Sequence, residues 1–455
     1  VLACALTAFA APTYGASGTR FTVPRGMVVD GWSKLGEGLD HVTFRRKAAR
    51  YQAVNVARIG ADAPFALRGV VSGQTIGGRL ETTSSMCRRL KCAAAVNGDF
   101  FVYKSGQPVG GLTILGQALR SPNRSHPQLF IDGDRLFAGT DAWLGAIKLA
   151  DGRPVTLDGV NVGLRGGKVQ LFTAAMGKTT GNAPDTTEIR IQIVSPKGPL
   201  RLAQPTRIRF LDIRHIGNAP IPPDGAVLAG NGTGGAALDD LWFQMDTGHL
   251  RKDATVTVNS WTGATESIGG SHLLLSDGKR AFAINSRALV NGRHPRTIVG
   301  WNRQGEVFLV TADGRQPGYA EGLTLFEAAS MMQQMGATDA INLDGGGSTT
   351  FVSRGRVVNR PSDARERSVA TALVVVPVAK RPPSSAAKPK PPAASKPKPV
   401  PRTAEDRAEG IPVASSSLPG LPPDRSGAIA MAVALWVLTF CGVGSWLQVR
   451  RSARA

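Results

Sequence analysis

The sequence predicts a strand-rich fold with few helices, built mainly as one large domain. Three observations carry this. The 455 residues hold 54 glycines but only 6% aromatics, a balance that favours turns and short strands over long helices. From 102 to about 268, runs such as 128–131, 190–194 and 255–258 are separated by Gly, Pro and Asp, the pattern of a β-rich region. The clearest helix is 324–335. Thr324 and Glu327 form a capping box there, Leu323 a hydrophobic staple and Gly336 the stop, and Phe326, Ala329 and Met332 supply the apolar face.

In chain order, residues 1–20 are apolar and rich in small side chains, and Ala8-Phe9-Ala10 resembles a cleavage site, so the stretch reads as the remnant of a signal peptide. Residues 21–50 read as a lead-in. A strand is expected at 51–59, a helix at 82–90 after a Thr/Ser cluster, and a short buried strand at 93–96 that runs into Asn97-Gly98-Asp99. Asp132 and Asp134 flank a glycine in a hairpin turn. Further strands are expected at 298–301 and 306–311. The helix at 324–335 then feeds a four-residue apolar run, 340–343, which delivers Asp344 to its end.

Gly345, Gly346, Gly347 and Ser348 follow Asp344. A strand that ends in a carboxylate and opens into glycines brings backbone N–H groups and hydroxyls beside that carboxylate, where a phosphate or sugar oxygen can be met. The segments A-A-A-V-N-G-D and D-A-I-N-L-D-G look alike. The expectation is that their strands lie side by side in one sheet and present Asn97, Asp99 and Asp344 at a common edge.

Cys87 and Cys92 are the only cysteines in the body of the chain. They lack the companions a zinc site needs, and in an exported chain a local disulfide is expected. The six histidines are scattered without ligand spacing, and no cofactor is assigned. The net charge of +21 suits an anionic polymer or a membrane surface. Nucleic acid is not indicated, because the basic residues are not interleaved with aromatics in a binding motif. Residues 377–426 are rich in Pro, Lys, Ala and Ser and read as an extended linker. Residues 427–447 form an uncharged run of membrane-spanning length. Arg450, Arg451 and Arg454 then place the tail at 448–455 in the cytoplasm and the body outside.

Seven segments occur in a telling order: N-G-D-F-F, G-G-S-H-L-L-L-S-D-G, P-R-T-I-V-G, T-A-D-G-R, L-F-E-A-A-S-M-M, N-L-D-G-G-G-S-T-T-F and V-V-N-R-P-S-D-A-R-E-R. Together they resemble the phosphodiester glycosidase family over about 51–376, most densely after Ile268. The resemblance implies a mixed α+β domain, not a barrel. It also implies hydrolysis between a sugar's anomeric carbon and a phosphodiester oxygen.

The residue chemistry suits such a reaction. A phosphate leaving group is a weak base and needs little protonation, so one essential carboxylate suffices where glycoside cleavage normally uses two. Asp344 is the first candidate, as nucleophile, base or electrostatic stabiliser; Glu366 and Asp313 are the second and third. Arg296, Arg315 and Arg367 are candidate phosphate ligands. Thr297, Ser348 and the amides of Gly345, Gly346 and Gly347 would complete the cradle, and Asn97, Asp99 and Asn359 would hold sugar hydroxyls. The linker, anchor and positive charge point to an anionic or phosphorylated envelope glycan. Two other readings of the same residues are a non-catalytic wall-glycan-binding module and a metal-dependent phosphodiesterase.

Overall fold

A central eight-stranded antiparallel sheet organises the protein. The computed structural model describes residues 22–47, 50–123, 125–282 and 288–379. The sheet runs in the order Val28–Gly36, Leu39–Arg46, Gln52–Ile59, Val307–Ala312, Arg296–Trp301, Asp339–Asn342, His272–Ser276 and Lys279–Arg280. Its inner strands are buried on both faces, and alternate side chains serve two different cores. Ile298, Val310 and Ala340 point to one core, where the helix Leu325–Gln334 contributes Met331 and Met332. Val299, Leu309 and Ile341 point to the other, where they meet Val96, Phe351 and Leu373 of a second, five-stranded antiparallel sheet. The layers are therefore helix, sheet, sheet.

The helix Leu325–Gln334 carries the capping box read from its sequence: Thr324 accepts from the Glu327 amide and Glu327 answers at the Thr324 amide. The helix Thr83–Arg89 starts on Thr82, and Cys87 and Cys92 just beyond it are joined in a disulfide. The turn at Gly133 closes a hairpin in which Asp132 pairs with Arg135.

Three expectations are revised. The stretch read as a lead-in supplies two full strands of the main sheet, Val28–Gly36 and Leu39–Arg46. The β-rich middle folds around its own eight-stranded sheet, but it also contains a 14-residue helix, Thr233–Asp246, which the sequence reading missed. That helix begins on Gly232 with no side-chain cap, and Gly234 and Gly235 fill its first turn, so its start reads locally as a loop. Gly234 is required because a Cβ there would collide with the Lys168 carbonyl. The two look-alike strands, Ala94–Asn97 and Asp339–Asn342, lie in different sheets, not side by side. No helix among the described residues is long and apolar enough to cross a membrane. The signal remnant at 1–20, nearly all of the linker, the span at 427–447 and the tail lie outside the described residues.

Candidate active site

The ends of the two look-alike strands meet across the seam between the sheets. Asn97 is the fastening. Its amide nitrogen donates to the Asp344 carbonyl at 2.7 Å, and its carbonyl oxygen accepts from Thr297 Oγ1 at 2.7 Å and from the Thr350 amide at 3.1 Å. The Asp344 amide in turn donates to the Gly98 carbonyl at 3.0 Å. Asn97 and Thr297 thereby spend their polar atoms on placing Asp344. The shared edge expected for Asn97, Asp99 and Asp344 exists, but two facing sheets build it.

Asp344 is part-buried at the strand end. Burial pushes its carboxyl up to about 6, against the lowering pull of the Ser348 hydroxyl, the Gly345 amide and the Arg367 charge. Asp99 is deeper, 2% exposed, and takes the Gly110 amide on Oδ2 at 2.7 Å. Burial, with the negative charge of Asp344 adding to it, pushes Asp99 up to about 7, against the pull of the Gly110 and Phe100 amides and Arg120. Gly269 leaves room for this carboxylate, because a Cβ there would lie 2.5 Å from Asp99 Oδ2.

A stability prediction follows for Asp99. Its folded value lies above its unfolded one, so the folded state holds the proton between about pH 4 and 7 and stability falls as pH rises through that window. Above pH 7, Asp99→Asn is expected to gain about 1–2 kcal/mol over the wild type in urea unfolding, and to lose that advantage below pH 4. An unchanged difference across pH would show that Asp99 is charged in the fold.

The glycine run does less amide work than its sequence suggests. The Gly345 amide serves Asp344, and the Gly346 amide donates to the Pro295 carbonyl at 2.9 Å. Gly345 itself is required because a Cβ would sit 2.5 Å from that carbonyl. Ser348 is buried, bonded to Asp344, with its Oγ 3.5 Å from Arg367 Nη1.

The arginines divide. Arg296 is 1% exposed and clamps three backbone carbonyls: Leu323 at 2.8 Å, Leu289 at 2.7 Å and Gly292 at 2.9 Å. Its guanidinium is committed to the fold. Arg315 is exposed, donates to His294 Nδ1 and hangs over Gly346, where a Cβ would lie 3.2 Å from its terminal nitrogens. Arg367 acts on Asp344 through its charge. These two arginines are thus the ones placed at the glycine turn.

The other two candidate acids are used elsewhere. Glu366 caps the helix Thr83–Arg89, accepting from the Ser84 amide at 2.7 Å and hydroxyl at 2.6 Å. Asp313 is buried and gathers Asn359 Nδ2 at 2.8 Å, the Arg360 amide at 2.9 Å and the Tyr319 hydroxyl at 3.4 Å. Asn359 also bonds the Thr349 carbonyl and the Phe351 amide, which ties the loop after the glycines to the sheet. Sequence reading missed Tyr103 and Asp363, both of which touch Arg367. Their only signal was proximity to N-G-D-F-F and to the R-P-S-D run. Among the described residues no cluster of three or more His, Cys, Asp or Glu could hold a metal ion.

With this geometry in place, residues 207–376 match the family model of the phosphodiester glycosidases. That stretch is therefore similar to the phosphodiester glycosidases. It contains Asp344, Arg315 and Arg367 and stops short of Asn97 and Asp99. Among curated proteins, the chain is 46% identical over 74 residues to mouse N-acetylglucosamine-1-phosphodiester alpha-N-acetylglucosaminidase, which is 16% of this chain and 14% of that protein. It is 31% identical over 129 residues to an uncharacterised prophage-derived protein of Bacillus subtilis, 28% of this chain and 20% of that one. The matches thus span a fifth or less of those relatives' lengths. In fold it is similar to a protein of Burkholderia pseudomallei, with a TM-score of 0.61 and 18% identity over 81% of this chain and 100% of the other. A protein of Synechocystis gives a TM-score of 0.59 at 22% identity, over 74% and 62% of the two chains.

Proposed function

We propose that the protein hydrolyses the bond between a sugar's anomeric carbon and a phosphodiester oxygen, with Asp344 as the essential carboxylate. The observation that carries this is the placement of Asp344. Both its backbone groups are fixed, its side chain is part-buried, and Arg315 and Arg367 stand at the adjoining turn. The family match of the surrounding segment and the activity in the mouse relative's name support the reaction class.

In this reading the arginines bind the phosphodiester oxygens and spread the charge that the departing phosphate acquires. The carboxylate meets the positive charge that develops on the sugar ring, either as an ion or by bonding to the anomeric carbon. Ser348 keeps Asp344 oriented. We further propose that the enzyme is exported, anchored through residues 427–447, and acts on an anionic envelope glycan such as a teichoic-acid-like or phosphoglycan chain. The uncharged run, the arginines after it and the +21 charge support that setting.

The test is a panel of sugar 1-phosphodiesters differing in sugar and anomer, read by release of free reducing sugar and of phosphomonoester. At least one member is expected to be cleaved on the sugar side of the bridging oxygen, with solvent ¹⁸O appearing in the sugar. Label in the phosphate would mean attack at phosphorus and would overturn the assignment.

A further inference from the structure

The proposed function needs an arginine held still beside Asp344, and a flexible guanidinium is not still by default: its rotamer freedom is worth about 2 kcal/mol. Arg367 is restrained on three sides. Its Nε donates to Asp363 Oδ2 at 2.9 Å, and Nη2 reaches the same oxygen. Its Nη1 meets the Tyr103 hydroxyl and lies 3.5 Å from Ser348 Oγ. The Tyr103 ring is 69% exposed and lies against the guanidinium, with Cζ 5.5 Å from the ring centroid. That ring packs on Phe101, centroid to centroid 5.1 Å. Gly347 supplies the third side, because a Cβ there would collide with Arg367 Nη2 and with the Asp363 carboxylate. The last glycine of the run is therefore explained by the ion pair seated on it.

We infer that Asp363, Gly347 and Tyr103 are positioning residues that hold Arg367 as the phosphodiester-binding arginine, its Nη1 edge presented beside Ser348 and Asp344. The inference rests on the function proposed above. Asp363 takes the Nε side of the fork and leaves Nη1 for a non-bridging phosphate oxygen, for which it exchanges the Tyr103 hydroxyl. Arg315, over Gly346, supplies the second cation. Asp363 is a surface loop residue, and an exposed ion pair contributes little to stability. A role confined to the fold would then show weakly in melting and not at all in ligand affinity.

The measurement is the dissociation constant of inorganic phosphate, by calorimetry at low salt, on the full chain and on Arg367→Gln, Asp363→Ala, Gly347→Ala and Tyr103→Ala. Arg367→Gln is expected to weaken phosphate by about tenfold or more, the loss of a charge-assisted contact. Asp363→Ala and Gly347→Ala are expected to weaken it by about three- to tenfold, and to lower kcat/KM for a cleaved diester by about tenfold or more, with kcat falling as well as KM rising. If Gly347→Ala does not fold, the exposed Asp363 and Tyr103 variants decide. Equal phosphate affinity in all variants, or no phosphate bound by the wild type, would overturn the inference. So would tighter binding by Asp363→Ala, which would make Asp363 a competitor. Asp344→Asn separates the two claims, since it loses turnover and keeps phosphate binding. Full turnover in that variant removes the proposed function whatever the phosphate constants show.

Discussion

Asp344→Asn is expected to abolish turnover of a cleaved sugar 1-phosphodiester, with kcat down by about 10³-fold or more and the thermal midpoint unmoved or slightly raised. The size follows from the role. A neutral amide neither attacks the anomeric carbon nor offsets its developing positive charge. The mild effect on stability follows from linkage. Burial holds the Asp344 carboxyl at about 6 in the fold, above its ordinary value near 3.8, so the ionised form is the disfavoured one. The contribution this gives is present at low pH and lost as pH rises toward 6, so an amide costs little above that point. The same value sets the acid limb of activity. Wild-type kcat/KM is expected to fall as pH drops through about 6, where Asp344 takes up its proton. A variant with wild-type kcat would remove Asp344 from the chemistry, and an acid limb near 4 would show that burial does not raise its carboxyl.

Arg296→Ala has the opposite signature: about 3–5 kcal/mol lost from folding stability, and unchanged KM in whatever fraction folds. Arg296 is among the largest fully buried side chains, and its guanidinium satisfies three backbone carbonyls that lose this partner when it is truncated. Burial pulls it down to about 10, still well above neutrality, so it remains a cation throughout the physiological range. Urea unfolding gives the first number and phosphodiester kinetics the second. A selective rise in KM with intact stability would return Arg296 to the phosphate site.

These two residues mark where the sequence was informative. Strand and helix positions were legible wherever both period and punctuation were local, as with Thr324 and Gly336 around the helix at Leu325–Gln334. The helix Thr233–Asp246 was not, because its first turn uses glycines to approach the Lys168 backbone, a requirement set by a distant segment of the chain. The placement of Asp344 was legible because a short apolar run followed by a carboxylate and glycines marks a strand end opening into a turn. Arg296 and Asn359 were not separable from it, since a buried side chain that satisfies carbonyls and one that meets a ligand are the same letters in a sequence. Only the fold distinguishes them. Glu366 shows the same limit, as its task is to start a helix that lies 282 residues earlier in the chain.

Because Asn97 belongs to one sheet and Asp344 lies just past the end of a strand of the other, the carboxylate proposed to react rides on a joint between two slabs. Sliding one slab by a single strand residue, about 3.3 Å, would part every bond that Asn97 makes. Core substitutions far from any ligand, such as at Val299 or Leu373 in the shared interior, can therefore detune catalysis by altering how the slabs mate. The same joint gives evolution or an engineer a mechanical adjustment for the site that leaves its own residues untouched.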